Sequence, residues 1–262
     1  MKSRRQFLKV ASLSFLGLAG SAVLPKISCA QDEQKVTYPA SYRKPRTQLK
    51  AKHWGMVIDT RKFDDAEDFE AVINACHQYH NVPEIGTKKE IKWIWKDGYR
   101  ETFTDQMDSY PAEEVLTRKY LMLCNHCENP ACVRVCPTGA TYRRPDGIVM
   151  MDYHRCIGCR FCMAGCPYGA RSFNFEDPRP YMKHDLNTRF PTRMKGVVEK
   201  CTFCSELLAE GKMPRCVEAS KGAIVFGDLG DPTSDIRKVL AENFTIRRKP
   251  TLGTEPSVFY II

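Results

Sequence analysis

Cys156-Ile157-Gly158-Cys159-Arg160-Phe161-Cys162-Met163-Ala164-Gly165-Cys166-Pro167 is the stretch that decides the fold. Its four cysteines are separated by two, two and three residues, and a proline follows the last. Upstream, Cys124-x2-Cys127-x4-Cys132-x3-Cys136-Pro137 repeats the pattern with two extra residues in its middle. Downstream, Cys201-x2-Cys204-x11-Cys216 opens in the same way and has no local fourth cysteine. Eleven of the 13 cysteines lie in these three groups, and the other two are Cys29 and Cys76. Crowding of this kind means disulfides, metal or clusters.

The spacing has a chemical reason. A [4Fe–4S] cube needs four thiolates around a compact body, and three closely spaced cysteines wrap one side of it. The second group is the bacterial ferredoxin run, in which the fourth cysteine ligates the other cluster of a pair. The proline keeps the loop from continuing as a regular element. The expected ligand sets are therefore Cys124, Cys127, Cys132 and Cys166 for one cube (site A), and Cys156, Cys159, Cys162 and Cys136 for its partner (site B). A zinc site asks for four ligands, usually as two Cys-x2-Cys pairs, and does not call for the third cysteine or the proline-linked fourth. Zinc stays open as a reading of the third group alone.

Between the two full runs, Arg144-Pro145-Asp146-Gly147 is a turn signal, flanked by Tyr142 and by Ile148-Val149-Met150-Met151. Phe173 and Phe175 alternate after the second run, so each half is expected to end in a short strand. Ahead of the cysteine groups, Phe69, Val72, Ile73 and Cys76 recur at helical spacing; Asp64 with Glu67 resembles a capping box, and Asn81-Val82-Pro83 ends the segment. Cys76 reads either as a ligand for the third group or as a core thiol of that helix. Trp93 and Trp95 alternate with Lys92, Ile94 and Lys96, as in a half-buried strand or a docking face. His126 and His154 adjoin cluster cysteines and are expected to support or cover them. Arg155, Arg160 and Lys200 also neighbour ligands, either raising cluster potentials or lying as solvated charges. A short helix from Ser234 through Ile236, Val239 and Leu240, then an extended tail, closes the chain.

The 262 residues are 43% hydrophobic and 27% charged, ample for a packed core and unlike a disordered chain. No apolar run reaches the length of a membrane-spanning helix. The net charge of +9 is uneven: residues 1–30 hold five basic and no acidic residues, and the remainder carries 35 basic and 31 acidic. That balance gives little support to nucleic-acid binding. Residues 1–30 read as a signal peptide: Ser3-Arg4-Arg5-Gln6-Phe7-Leu8-Lys9, a mildly apolar stretch, then Ser28-Cys29-Ala30, suited to cleavage before Gln31. The arginine pair matches the twin-arginine signal. That route carries folded proteins with cofactors already inserted, and it predicts export by the twin-arginine machinery to the periplasm or the outer face of the cytoplasmic membrane, as a peripheral part of a membrane complex. Retention of the segment as a tether is the alternative.

From about His53 onward the chain resembles the ferredoxin-type iron–sulfur subunits of dimethyl sulfoxide, polysulfide and nitrite reductase systems. The residues that carry the likeness are Trp54-Gly55-Met56-Val57-Ile58-Asp59, the three cysteine groups, Gly227-Asp228 and Leu252-Gly253-Thr254. Within the family it most resembles the exported DsrO-type subunits of the DsrMKJOP membrane complex tied to dissimilatory sulfite reduction. The resemblance rests there on Glu90-Ile91-Lys92-Trp93-Ile94-Trp95, on Val149 through Cys156 and on Arg171-Ser172-Phe173-Asn174-Phe175. It implies an α+β, loop-rich fold of two back-to-back ferredoxin-like units with short β-hairpins and helices. One iron–sulfur domain would span 31–262, with repeats at about 115–146 and 147–176 and a degenerate unit, 54–83, pairing with 200–225. The family's usual four cubes map here as three. Cys76, Cys201, Cys204 and Cys216 complete one set (site C), while Ala66, Phe69, Val72 and Ser220 fall where a fourth set of ligands would stand. The losses gather on one site, so three [4Fe–4S] clusters and one emptied site are expected, with no electron-transfer contact on the face near Phe69 and Val72.

No nucleophile, general base pair or phosphate loop is evident. The expectation is a non-catalytic electron-transfer subunit. The resemblance implies a multi-pass, quinone-handling membrane subunit as one partner and a multihaem cytochrome c or other redox subunit as the other. The rival readings are the iron–sulfur subunit of a molybdenum or tungsten (molybdopterin) oxidoreductase, a zinc-stabilised exported binding module, and a self-contained reductase.

Overall fold

The computed structural model describes residues 47–63, 65–106 and 110–262. The signal peptide, with Cys29, and Asp64 lie outside the described residues.

The first strand, β1 (Trp54–Asp59), is buried along its whole length. A single 3-10 turn, Thr60–Lys62, leads to α1 (Ala66–Tyr79). The sequence pattern assigned the cap of this helix to Asp64, but Asp65 does the capping: its carboxylate accepts the N–H groups of Glu67 and Asp68. The helix buries Phe69, Val72 and Cys76, the stripe that the spacing predicts, and ends at His80. Asn81 then turns into left-handed backbone at φ 50° ahead of Pro83.

The chain continues through β2 (Ile94–Gly98), α2 (Tyr99–Thr102), α3 (Glu113–Thr117) and β3 (Lys119–Leu123). Strands β2 and β3 pair antiparallel with Trp95 opposite Met122. Trp93 precedes β2 and is fully buried, its indole N–H donated to Glu199, so it is no docking residue. The cysteine runs occupy α4 (Ala131–Arg134), β4 (Thr141–Arg143), β5 (Val149–Met151), α5 (Phe161–Ala164) and β6 (Ser172–Phe173). The predicted hairpin is present, with Thr141 opposite Met151. After it come β7 (Val198–Glu199), α6 (Ser205–Ala209), α7 (Arg215–Ala219), β8 (Ile224–Asp228), α8 (Asp235–Glu242), β9 (Thr245–Ile246) and β10 (Val258–Ile261).

The main sheet has the order β8-β1-β10-β9. Strand β1 runs antiparallel to β8 and parallel to β10, so the C-terminal tail is part of the sheet and does not merely wrap it. Trp54 stacks on Phe226 across this pairing, ring centroids 5.0 Å apart. The remaining pairs, β2-β3, β4-β5 and β6-β7, are separate two-stranded ribbons. Isolated ribbons of this length are marginal in water, which makes packing against the shared core and the cysteine loops their main support.

Candidate metal–sulfur centre

The three cysteine groups share one local conformation. In each Cys-x2-Cys loop the residue before the second cysteine is left-handed: His126 at φ 41°, Gly158 at 71° and Phe203 at 53°. This turn brings the two flanking thiols round to one side. At Gly158 no side chain fits, because a Cβ would lie 2.5 Å from the Gly196 carbonyl oxygen. The third cysteine of each group then sits on a short helix: Cys132 on α4, Cys162 on α5 and Cys216 on α7. After the helix, the N–H of Cys136 donates to Val133 O (3.3 Å) and that of Cys166 to Met163 O (3.2 Å). Ser220 holds the matching position, donating to Val217 O at 3.2 Å.

Two cavities collect the central cysteines in exchanged sets. Cys124, Cys127 and Cys132 line one together with Cys166, which comes from the following run. Cys156, Cys159 and Cys162 line the other together with Cys136. The third group meets α1. Burial, then the neighbouring Cys201 and Cys216, drives the Cys76 thiol up, and burial, Cys216 and Cys76 do the same to Cys204. Sites A and C adjoin: after burial, the neighbouring Cys124 does most to raise the Cys201 thiol.

All twelve cysteines among the described residues are free. Burial, then Cys124, pushes Cys127 up to about 12, and burial pushes Cys216 to about 12. Cys136 is the exception: burial raises it, but hydrogen bonds from the Thr141 N–H and the Thr138 hydroxyl together outweigh that and bring it down to about 7. Thiols gathered in fours can give up their protons to a metal that they bind together. The polar atoms of Asn125 and Thr202, inside two of the Cys-x2-Cys loops, are buried without a protein partner. A donor set of thiolates with unsatisfied polar groups beside it fits an iron–sulfur cube.

The four residues at the expected emptied site do not fit one. Phe69 stacks on Phe63 with centroids 4.7 Å apart, and Val72 is fully buried. The Ser220 hydroxyl donates to Val217 O and accepts the Ile224 N–H, spending itself on the helix end. Ala66 and Phe69 border a surface groove of about 560 Å³ whose other walls include Arg61, Lys96, Arg118 and Lys119.

The flanking residues sort by burial. His126 is fully buried, stacked on Phe203 at 3.7 Å, and its Nδ1 accepts the Val149 N–H, whereas His154 is exposed. Arg155 and Arg160 are exposed, and Lys200 is fully buried. Sequence reasoning missed two residues. Arg171 donates from Nη2 to Cys132 Sγ at 3.0 Å. His80 lies 3.7 Å from Cys76 Sγ through Nδ1 and 3.0 Å from Glu206 through Nε2. A basic residue five positions beyond a cysteine was the signal available for Arg171. For His80 it was the helical i, i+4 spacing from Cys76.

Residues 119–179 match the model of the 4Fe-4S dicluster domain. Over 282 aligned positions, spanning 99% of this chain and 98% of its relative, the chain is 39% identical to the Hdr-like menaquinol oxidoreductase iron-sulfur subunit 1 of Archaeoglobus fulgidus. It is 35% identical to the menaquinone reductase iron-sulfur cluster-binding subunit of Nitratidesulfovibrio vulgaris, over 79% of this chain and 88% of that one. It is 34% identical to a polysulfide reductase subunit of Wolinella succinogenes, over 80% of this chain and 95% of the relative. With the cysteine geometry, these likenesses make this chain a member of the family of [4Fe–4S] electron-transfer subunits of oxidoreductase complexes.

Proposed function

We propose that the chain carries three [4Fe–4S] clusters, at sites A, B and C, and passes single electrons between a quinone-handling membrane subunit and a second redox subunit. The observation that carries this reading is the exchanged lining of the two central cavities beside a third cysteine set of the same loop conformation. Each site supplies four thiolates and leaves no iron open to substrate, so the clusters supply one-electron redox steps alone. The order B–A–C follows from Arg171, which faces Cys132 of A and Cys162 of B, and from the Cys124–Cys201 approach of A and C. The filled site beyond α1 ends the relay at C. The relatives' names favour a quinol or menaquinone partner, and the DsrO-type resemblance favours a multihaem cytochrome c as the other. The twin-arginine pattern supports a position on the outer face of the membrane, and among the described residues no helix is long and apolar enough to cross it. The domain boundaries 31–262, with repeats at about 115–146 and 147–176 and a unit 54–83 pairing with 200–225, belong to the same proposal.

Iron and acid-labile sulfide per chain, on protein purified without oxygen, test the count. About twelve irons are expected, four per cube. About eight with one zinc would favour the second reading of site C, for which there is one specific observation: donor atoms of His80, Cys204 and Glu206 lie within 4.8 Å of one another.

Site B is the one that meets solvent. Cys159 is exposed, and Ile157 and Phe161 beside it are 68% and 60% exposed. Arg160 lines site B, and the exposed Arg134 and Lys195 are next in sequence to Val135 and Gly196, which meet Gly165 and Gly158; none of the three is in an ion pair among the described residues. An apolar centre with a cationic rim suits transfer to a partner with an acidic rim. Joint Arg134→Glu and Arg160→Glu replacement is expected to slow oxidation of the reduced protein by hexacyanoferrate(III) about tenfold at low salt, with the difference shrinking at high ionic strength. Stopped-flow traces at several salt concentrations check it.

A further inference from the structure

Three buried cations have no carboxylate partner among the described residues: Arg248 donates to Thr102 O and lies over the Tyr168 ring, while Arg171 and Lys200 lie among the cysteines. Arg171 is 4% exposed, and Lys200 is fully buried. Neither has a carboxylate partner among the described residues, although Arg193, equally buried, is paired with Glu199. Taking an unpaired cation out of water is costly, so each requires negative charge close by. Glu199 is the nearest acid in sequence to Lys200, and its oxygens are already used by Arg193, Trp93 and Asn174. What remains around both cations is cysteine sulfur.

Their placement is not symmetric over the three sites. Arg171 lies in the gap between A and B. Nη2 donates to Cys132 Sγ of A at 3.0 Å, and Nη1 donates to Thr141 Oγ1 at 3.2 Å and faces Met151, whose side chain lines B. Lys200 lies in the gap between A and C. Its Nζ donates to the carbonyl of Val149, a residue lining A, and at 2.6 Å to that of Cys201 of C. Site A thus borders both cations, whereas B and C border one each. Site B also has water at Cys159, which spreads added charge but screens the guanidinium's field. Site C is fully buried and has the Glu206 carboxylate, by way of His80, on its far side.

We propose that Arg171 and Lys200 make the Cys124, Cys127, Cys132 and Cys166 site the electron store of the relay, the first to accept an electron and the last to release it. An added electron is one unit of negative charge, taken up with no bond made or broken, and two fixed cations in a low-dielectric interior favour it most at A. With A charged, Arg171 also offsets the repulsion that an electron at B would feel, so the two neighbours can each hold one electron. A quinol, which must dispose of two electrons one at a time, would be served by such a pair. The inference rests on the proposed presence of the cubes.

The test is an anaerobic dithionite titration of the full cluster-loaded chain followed by electron paramagnetic resonance, with iron determined on every sample. Cys132→Ser marks which signal belongs to site A. The site A signal is expected to appear first in the unaltered protein. Arg171→Met and Lys200→Met should each lower the reduced-to-oxidised ratio of that centre at fixed potential at least tenfold, about 59 mV per tenfold for one electron. Arg171→Met should also move B, Lys200→Met should also move C, and Arg171→Lys should recover most of the loss. Normal iron with an unmoved first step in both Met variants overturns the inference, as does first reduction at B or C. If Arg171→Met does not retain iron, Lys200→Met decides by the same criteria, together with the order of reduction in the unaltered protein. Fewer than about twelve irons in the unaltered protein would instead count against the three-cluster reading.

Discussion

A Cys166→Ala chain is expected to keep about eight of about twelve irons and to give the same residual spectrum as Cys132→Ala, although Cys132 belongs to the other run. Cys159→Ala should share its residual spectrum with Cys136→Ala instead. The expectation follows from the cavities, where Cys166 stands with Cys124, Cys127 and Cys132, and Cys136 with Cys156, Cys159 and Cys162. A cube completed within its own run would pair the variants the other way, Cys166 with Cys159 and Cys136 with Cys132. The helix ends α4 and α5 are packed together, and Gly165 explains why the exchange is possible. A Cβ there would stand 3.1 Å from Val135 Cγ2, so the Val135 side chain would have to give by a few tenths of an ångström. Because each quartet draws on both halves, loss of one fourth cysteine should also loosen the other half. Proteolysis of the variants, compared with the unaltered protein, should therefore show cuts in both runs. Iron content and paramagnetic spectra of the four alanine variants settle the pairing.

Arg193→Ala should be the most destabilising single change away from the cysteines, by about 3–5 kcal/mol. The guanidinium and the Glu199 carboxylate are both fully buried and meet at 2.6 Å. Arg193 also donates to the carbonyls of His80, Asn81 and Pro191, while its guanidinium carbon lies 5.1 Å from the Trp93 ring centroid. Truncation strands an ionised carboxylate and leaves several carbonyls unpaired at the end of α1, one turn beyond Cys76. Unfolding by denaturant under anaerobic conditions reads the loss. Replacing Glu199 by Gln in the same chain should restore part of it, since the buried charge is then gone, and the two changes should be clearly non-additive. Equal additive losses would mean that the pair is not coupled.

The role of these groups bears on what was legible before folding was considered. The three cysteine groups, the proline after each full run, the 144–147 turn and the apolar stripe of α1 are local patterns, and each is found where its spacing requires. The cysteine spacing is legible because a cube of fixed size can be wrapped only by thiols at short, fixed separations. Asp65 rather than Asp64 caps α1 because the cap depends on which carboxylate points back at the first free N–H groups, a matter of one residue's dihedrals. The tail reads only as an extended segment, yet Val258 to Ile261 insert beside β1, because the centre of a sheet is set by which strands arrive next to it.

By itself, the sequence set out the chemistry to expect: cysteines in groups suited to iron and, through the family resemblance, a third set completed by Cys76 and a fourth lacking ligands at Ala66, Phe69, Val72 and Ser220. Only the tertiary structure decided which charges those thiols meet. Arg160 and Lys200 both adjoin ligands in the chain, but one is at the surface and the other is sealed in the gap between two sites. Arg171 lies far from Cys132 in sequence and touches it in space. Ligand identity is local and survives in a pattern of spacings. The field at a ligand is the sum over everything folded around it, weighted by burial, and no spacing along the chain encodes that sum.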